Sequence, residues 1–160
     1  MKILGIDPGT GIVGFGVIDS DGRRHKMLDA GVIRTHKSEP AEQRLLAIFE
    51  NITEVINANQ PDSVVIERLF FARNVTTAMS VSQARGVLIL AATLKKIPVF
   101  EYTPLQIKQA LTGYGRAEKS QIQEMVKVLL NLKVIPKPDD CADALAAALT
   151  HATGPSFAIL

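Results

Sequence analysis

One cysteine, three histidines and no long apolar run are the first features of this sequence, and each shortage removes a class of protein. Cys141 stands alone, so no internal disulfide can form; a disulfide-built scaffold is excluded and a reducing cytoplasm is the expected compartment. His25, His36 and His151 are scattered along the chain, and with a single cysteine they supply no cluster of the kind that binds zinc. No apolar stretch approaches the roughly 18–20 residues that span a bilayer. The opening MKILGIDPGTGIVGFG meets Asp7 and Pro8 too early for the apolar core of a secretory signal. Neither a GxSxG elbow nor a Walker lysine loop is present. Charge of one sign is also lacking: 18 Lys and Arg face 16 Asp and Glu, for a net +2. Overall charge therefore does not announce a nucleic-acid binder. The distribution is less even, because Lys108, Arg116, Lys119, Lys127, Lys133 and Lys137 face only Glu118 and Glu124 between Leu105 and Pro138. Taken alone, that excess describes a solvated helical face.

What is present describes one globular α/β domain over residues 1–160, with 47% hydrophobic and 21% charged residues and a length that supports one core. There is no internal repeat, low-complexity tract or linker. Lys2–Asp7 is short and apolar and stops at Pro8-Gly9. Val13, Phe15 and Val17 alternate with Gly14, Gly16 and Ile18, the period of a strand. Asp19-Ser20-Asp21-Gly22 reads as a turn into a third strand over Lys26–Arg34, giving an antiparallel meander. Pro40 opens a helix carrying Leu45, Ile48, Phe49, Ile52, Val55 and Ile56 at helical spacing. Ser63–Ile66 is a β-branched run ending at Glu67. A long helix follows from Asn74 to Lys96, apolar almost all round over Val87–Ala92, as expected of a helix covered on more than one side. Pro98–Tyr102 predicts a fifth strand, and helices are expected near Leu105–Leu111, Ala117–Leu130 and Asp139–Ala152. Three meander strands followed by alternating helices and strands imply a mixed five-stranded sheet flanked by helices, the layout of a ribonuclease H-like domain.

Acids fall where that layout can use them. Asp7 and Glu67 end the first and fourth strands, and parallel neighbours would open both onto one edge of the sheet, where ligands bind in open α/β sheets. Asp140 and Asp143 share a face of the first turn of the last helix, where the helix dipole favours carboxylates. Singly, each acid is an ordinary turn or capping residue. Together, four acids from three segments would repel one another unless a cation neutralised them, and hard divalent cations prefer oxygen ligands. Two such ions can activate water and stabilise the leaving oxygen in phosphodiester hydrolysis.

These residues also carry a resemblance. Ile3-Leu4-Gly5-Ile6-Asp7-Pro8-Gly9-Thr10, Ile66 to Asn74 and Gln83-Ala84-Arg85-Gly86 resemble segments of the RuvC family of Holliday junction resolvases. So do Gln106-Ile107-Lys108-Gln109, Ala117-Glu118-Lys119-Ser120, Asp140 to Ala146 and Thr150-His151. Order and spacing match over almost the whole chain. The resemblance implies a homodimeric endonuclease that nicks two opposing strands of a four-way DNA junction symmetrically, in recombination and repair. It implies Mg²⁺ as cofactor, two ions per subunit with Mn²⁺ able to substitute, held by Asp7, Glu67, Asp140 and Asp143. It further implies base stacking by Phe70, DNA contacts by Lys108 and Lys119, a dimer helix around Gln83–Gly86, and RuvA and RuvB branch-migration proteins as partners. From the residues alone, a Phe70-Phe71 pair is more often buried than a base-stacking platform, with a π-face worth about 1–3 kcal/mol per stacked base if one ring is exposed. Asp139 directly precedes Asp140, so register decides which is the ligand; the expectation here is Asp140, with Asp139 capping the helix.

Three other readings share parts of this pattern. Asp7-Pro8-Gly9-Thr10 with Gly11, Gly14 and Gly16 resembles the first phosphate loop of actin- and sugar-kinase-like ATPases, which need two such domains around a cleft. YqgF-type nucleases acting on RNA share the opening motif but not the Phe70–Asn74 stretch. A catalytically dead junction binder would not be expected to keep all four acids.

Overall fold

A computed structural model describes residues 1–68 and 75–154. The chain runs β1 (Lys2–Asp7), β2 (Ile12–Ser20), β3 (His25–Arg34), α1 (Ala41–Asn59), β4 (Ser63–Glu67), α2 (Val75–Leu94), β5 (Val99–Tyr102), α3 (Pro104–Thr112), α4 (Lys119–Leu129) and α5 (Asp139–Thr153). The strands form one sheet in the order β3-β2-β1-β4-β5. The first three pair antiparallel, and β1–β4 and β4–β5 pair parallel. This is the mixed five-stranded, ribonuclease H-like α/β layout expected from the sequence. Asp21 closes the β2–β3 hairpin by accepting the N–H groups of Arg23 and Arg24 at 2.9 and 2.7 Å, and Gly22 takes a positive φ of 89°.

Alternation divides the strands between two cores. Leu4, Ile6, Val13, Val17, Val64 and Ile66 face α1 and α2, while Ile3, Ile18, Val65 and Tyr102 face α3, α4 and α5. At the centre of the second face stand glycines. Gly5 pairs with Gly16 and Asp7 pairs with Gly14 across β1 and β2. A methyl group added at Gly5 would overlap the Ala144 carbonyl; at Gly16 it would strike the Leu145 side chain, and at Gly14 the Asp140 backbone. The missing side chains let α5 lie almost on the sheet backbone. Its own Ala142, Ala144, Ala146, Ala147 and Ala148 are buried to match. Close packing of small residues on both sides thus fixes where α5 begins, directly over the end of β1.

Two expectations need correction. Asp139 does not cap α5: Pro138 occupies that position without a side-chain cap, and Asp139 is the first helical residue. Its carboxylate turns outward to the Lys137 ammonium at 2.9 Å, because the helix begins one residue earlier than a cap at Asp139 requires. Second, α2 is, among the described residues, long and apolar enough by length and composition to cross a membrane. Its inner face nonetheless belongs to this core. Ala84, Leu88, Ala91 and Ala92 are buried, and the Arg85 guanidinium pairs with Glu101 of β5.

Candidate active site

Parallel pairing of β1 with β4 sets Ile6 beside Ile66, so the next residues, Asp7 and Glu67, emerge together at one edge of the sheet. Both lie on the face covered by α5. The glycine track brings the first turn of α5 to the same edge, with Asp140 over Gly14, the cross-strand partner of Asp7. Asp143 follows one turn later. The four acids from three segments therefore lie at one edge of the sheet, near enough for Glu67, Asp143 and Asp140 to act on Asp7.

Their electrostatics record the crowding. Asp7 is pushed up to about 8, first by burial and then by the negative charges of Glu67, Asp143 and Asp140. Glu67 is pushed up to about 7 by burial and by Asp143. Burial disfavours the charged form of an acid, and like charges do the same. Cation chemistry in the site comes from Lys119, at the start of α4. Its ammonium donates to Asp143 at 2.8 Å and lies 3.7 Å from Asp139. That hydrogen bond is the main reason the lysine is held above its usual range. Lys108 joins it: Glu67, Asp143, Lys108 and Lys119 line one cleft of about 260 Å³, closed below by Ile107, Ile122 and Ala146. Thr103 holds the α3 end of this cleft by a reciprocal cap, accepting the Gln106 N–H at 3.2 Å while its own N–H donates to the Gln106 side chain at 2.8 Å.

Asp140 and Asp139 separate cleanly. Asp140 adds to the repulsion on Asp7, whereas Asp139 is exposed and held below the usual carboxylate range, chiefly by the Lys137 hydrogen bond. The donor set fits a hard divalent cation: every candidate ligand is a carboxylate oxygen, and Asp7 and Glu67 are raised first by burial and then by neighbouring carboxylates, a repulsion that a cation would offset. The acids are gathered without being closed into a cage. Among the described residues, no three acidic, histidine or cysteine side chains form a preformed ligand shell, and Asp143 is engaged by Lys119 instead.

Phe70, with Phe71, lies outside the described residues. Two clusters escaped the sequence reading. Glu101, a buried acid in the apolar strand β5, is held by Arg85 and approached by Arg68 at 4.0 Å; a lone acid inside Val99-Phe100-Glu101-Tyr102 was the available signal. Arg34, Lys37 and Arg44 gather at the β2–β3 end of the same sheet edge, from the end of β3, the following loop and the start of α1, whose relative placement no local pattern encodes.

The family model described as crossover junction endodeoxyribonuclease RuvC matches residues 3–151. A curated protein of that name from Brevibacillus brevis is 56% identical over 157 residues, covering 98% of this chain and 95% of its own length. The solved Thermus thermophilus RuvC structure superposes with a TM-score of 0.90 at 40% identity, over 96% of this chain and 94% of that one. The structure of T. thermophilus RuvC in complex with Holliday junction substrate gives 0.92 at 38% identity, over 98% and 99%. With strand ends, glycine track and acidic edge in place, the chain belongs to the crossover junction endodeoxyribonuclease RuvC family.

Proposed function

We propose that this chain resolves Holliday junctions as a metal-dependent endonuclease, with Asp7, Glu67, Asp140 and Asp143 holding Mg²⁺, two ions per subunit. The convergence of those four acids at one sheet edge, beside two lysines, carries the reading. Bound there, the cations would supply an activated water and charge neutralisation at the scissile phosphate. The chain's own residues do the rest. Asp7 and Glu67, half-shielded between the strand ends and α5, give the site its fixed floor. Lys119 holds Asp143 and keeps one positive charge beside the acids, and Lys108 across the cleft can meet a DNA phosphate. Phe70 is assigned to stacking on a base near the crossover. The whole chain acts as one domain in the cytoplasm, with RuvA and RuvB as partners. In the test, a labelled four-way junction, a matched duplex and a structured RNA are incubated with and without Mg²⁺. Paired nicks in the junction alone, only with metal, are expected; cutting of RNA in preference to the junction would sink the reading.

Paired nicks need two sites related by a two-fold axis, and α2 offers the surface. Val75, Met79, Leu90 and Leu94 are exposed at 76, 63, 51 and 62%. Their spacings of four, eleven and four residues keep them on one stripe of a helix. Gly86 lies on the same stripe, and a Cβ there would meet nothing within 4 Å, which leaves room for a partner backbone at the crossing. Light scattering should return about twice the 17.3 kDa subunit mass, and Leu90→Glu should lower it toward one subunit. A wild-type mass of one subunit at micromolar concentration, unchanged by junction, would refute the dimer.

A further inference from the structure

We infer that a second DNA-binding site lies at the β2–β3 end of the acidic sheet edge, a basic cavity that takes backbone phosphates of the strand running past the acids. The cavity, of about 570 Å³, is lined by Arg34, Thr35, His36, Lys37, Glu39 and Arg44. Arg34 ends β3 and Arg44 stands on the first turn of α1, so both belong to the edge on which β1 ends at Asp7. None of Arg34, Lys37 and Arg44 has an acid within ion-pair distance among the described residues. The Glu39 carboxylate accepts the His36 N–H at 3.3 Å. Three cations around one cavity, none of them ion-paired and opposed by the single carboxylate of Glu39, match a polyanion.

The cavity is built rather than incidental. The Thr35 N–H donates to the Gly11 carbonyl at 3.0 Å, and the Thr35 hydroxyl donates to the Thr10 carbonyl. Arg44 Nε donates to the same hydroxyl oxygen at 3.0 Å. Its guanidinium is thereby fixed through Nε, and its two terminal nitrogens remain for a phosphate, the planar fork suited to that ligand. The chain of bonds also ties the cavity to the Thr10–Gly11 loop that follows Asp7. From β1 to β3 is two strand spacings, about 10 Å, or about three nucleotide rises along a duplex. A strand crossing the acids would thus be gripped by Lys108 and Lys119 on one flank and by this cavity on the other.

The inference rests on the junction-binding reading, so the experiment tests that reading first. Binding of a labelled four-way junction is measured by fluorescence anisotropy in EDTA from about 50 to 200 mM salt, for wild type, Arg34→Ala/Lys37→Ala and Lys26→Ala. Both cavity residues are exposed, and unchanged melting temperatures will confirm intact folds. Lys26 is exposed at the opposite sheet edge, paired with Asp19 in register, and controls for loss of charge alone. The double variant should bind at least about tenfold more weakly at the upper salt, and its slope of log K against log salt should flatten by about 0.9 per lost phosphate contact. Lys26→Ala should stay within about twofold of wild type. Equal slopes for the double variant and wild type, or the same loss with Lys26→Ala, would overturn the cavity while leaving junction binding intact. Failure of wild type to bind the junction would overturn both.

Discussion

Asp7→Asn should abolish junction cleavage, by on the order of 10³-fold or about 4 kcal/mol of barrier, and at the same time raise the melting temperature of the metal-free protein. The two effects have one cause. Asp7 is pushed up to about 8, so the folded chain prefers it protonated, whereas the unfolded chain ionises it near 4. Stability is therefore greatest below pH 4 as far as this group is concerned, and is lost as the pH rises toward 8. Glu67, pushed up to about 7, loses stability over the same direction of pH. At about 1.4 kcal/mol per unit, the burden on Asp7 above pH 8 amounts to a few kcal/mol, because the four acids share one repulsion. Asparagine keeps the shape and removes the charge, which should return on the order of 5–10 °C in EDTA at pH 8 and almost nothing at pH 4. Mg²⁺ should reverse the ranking: wild type gains thermal stability from the cation increasingly as the pH rises from 5 to 8, and the variant gains little. Junction binding in EDTA should survive. Near-normal cleavage by the variant, or a melting temperature lower than wild type in EDTA at pH 8, would break the link between the acidic edge and the metal.

The sequence made some of this legible because local pattern and site coincide. Strand periodicity, the Pro8-Gly9 stop and the Ser63–Ile66 run place Asp7 and Glu67 at strand ends, and parallel pairing is the natural consequence of a helix between β1–β3 and β4. The position of α5 was less accessible. Gly14 and Gly16 read as members of an alternating strand; that their bare face receives the Ala-rich side of α5 depends on which way the sheet turns it. Lys119 was singled out only through resemblance, since its partner Asp143 is 24 residues away. Arg34, Lys37 and Arg44 lie between a strand and a helix whose relative angle no local pattern encodes, and Arg85 with Glu101 joins elements on opposite sides of a turn. Ion pairs of this kind are tertiary facts. The capping role assigned to Asp139 failed on register: Pro138 takes the cap position, and the Asp139 carboxylate pairs with its near neighbour Lys137 and, from α4, with Lys119.

That ion pairing sharpens the contrast between the two neighbouring acids, which a pair of substitutions will resolve. Asp140→Asn is expected to lose cleavage on the order of 10³-fold, with junction binding in EDTA retained and partial recovery in Mn²⁺. Asp140 lies over Gly14 at the end of β1 and contributes to the charge that presses on Asp7, so removing its charge weakens the site for the cation. Asp139→Asn should cut junctions within a few-fold of wild type. Its carboxylate is exposed, pairs with Lys137 at 2.9 Å and lies 3.7 Å from Lys119, and solvent and salt screen such exposed pairs so that they contribute little. It also offers no cap whose loss could unfold the first turn of α5. A modest change in salt dependence is the expected trace, since freeing Lys137 and Lys119 from Asp139 leaves more positive charge for DNA. Exchange of the two outcomes, with Asp139→Asn dead and Asp140→Asn active, would move the ligand one residue toward the N-terminus. It would also require the first turn of α5 to rotate by about 100° from where the glycine track seats it.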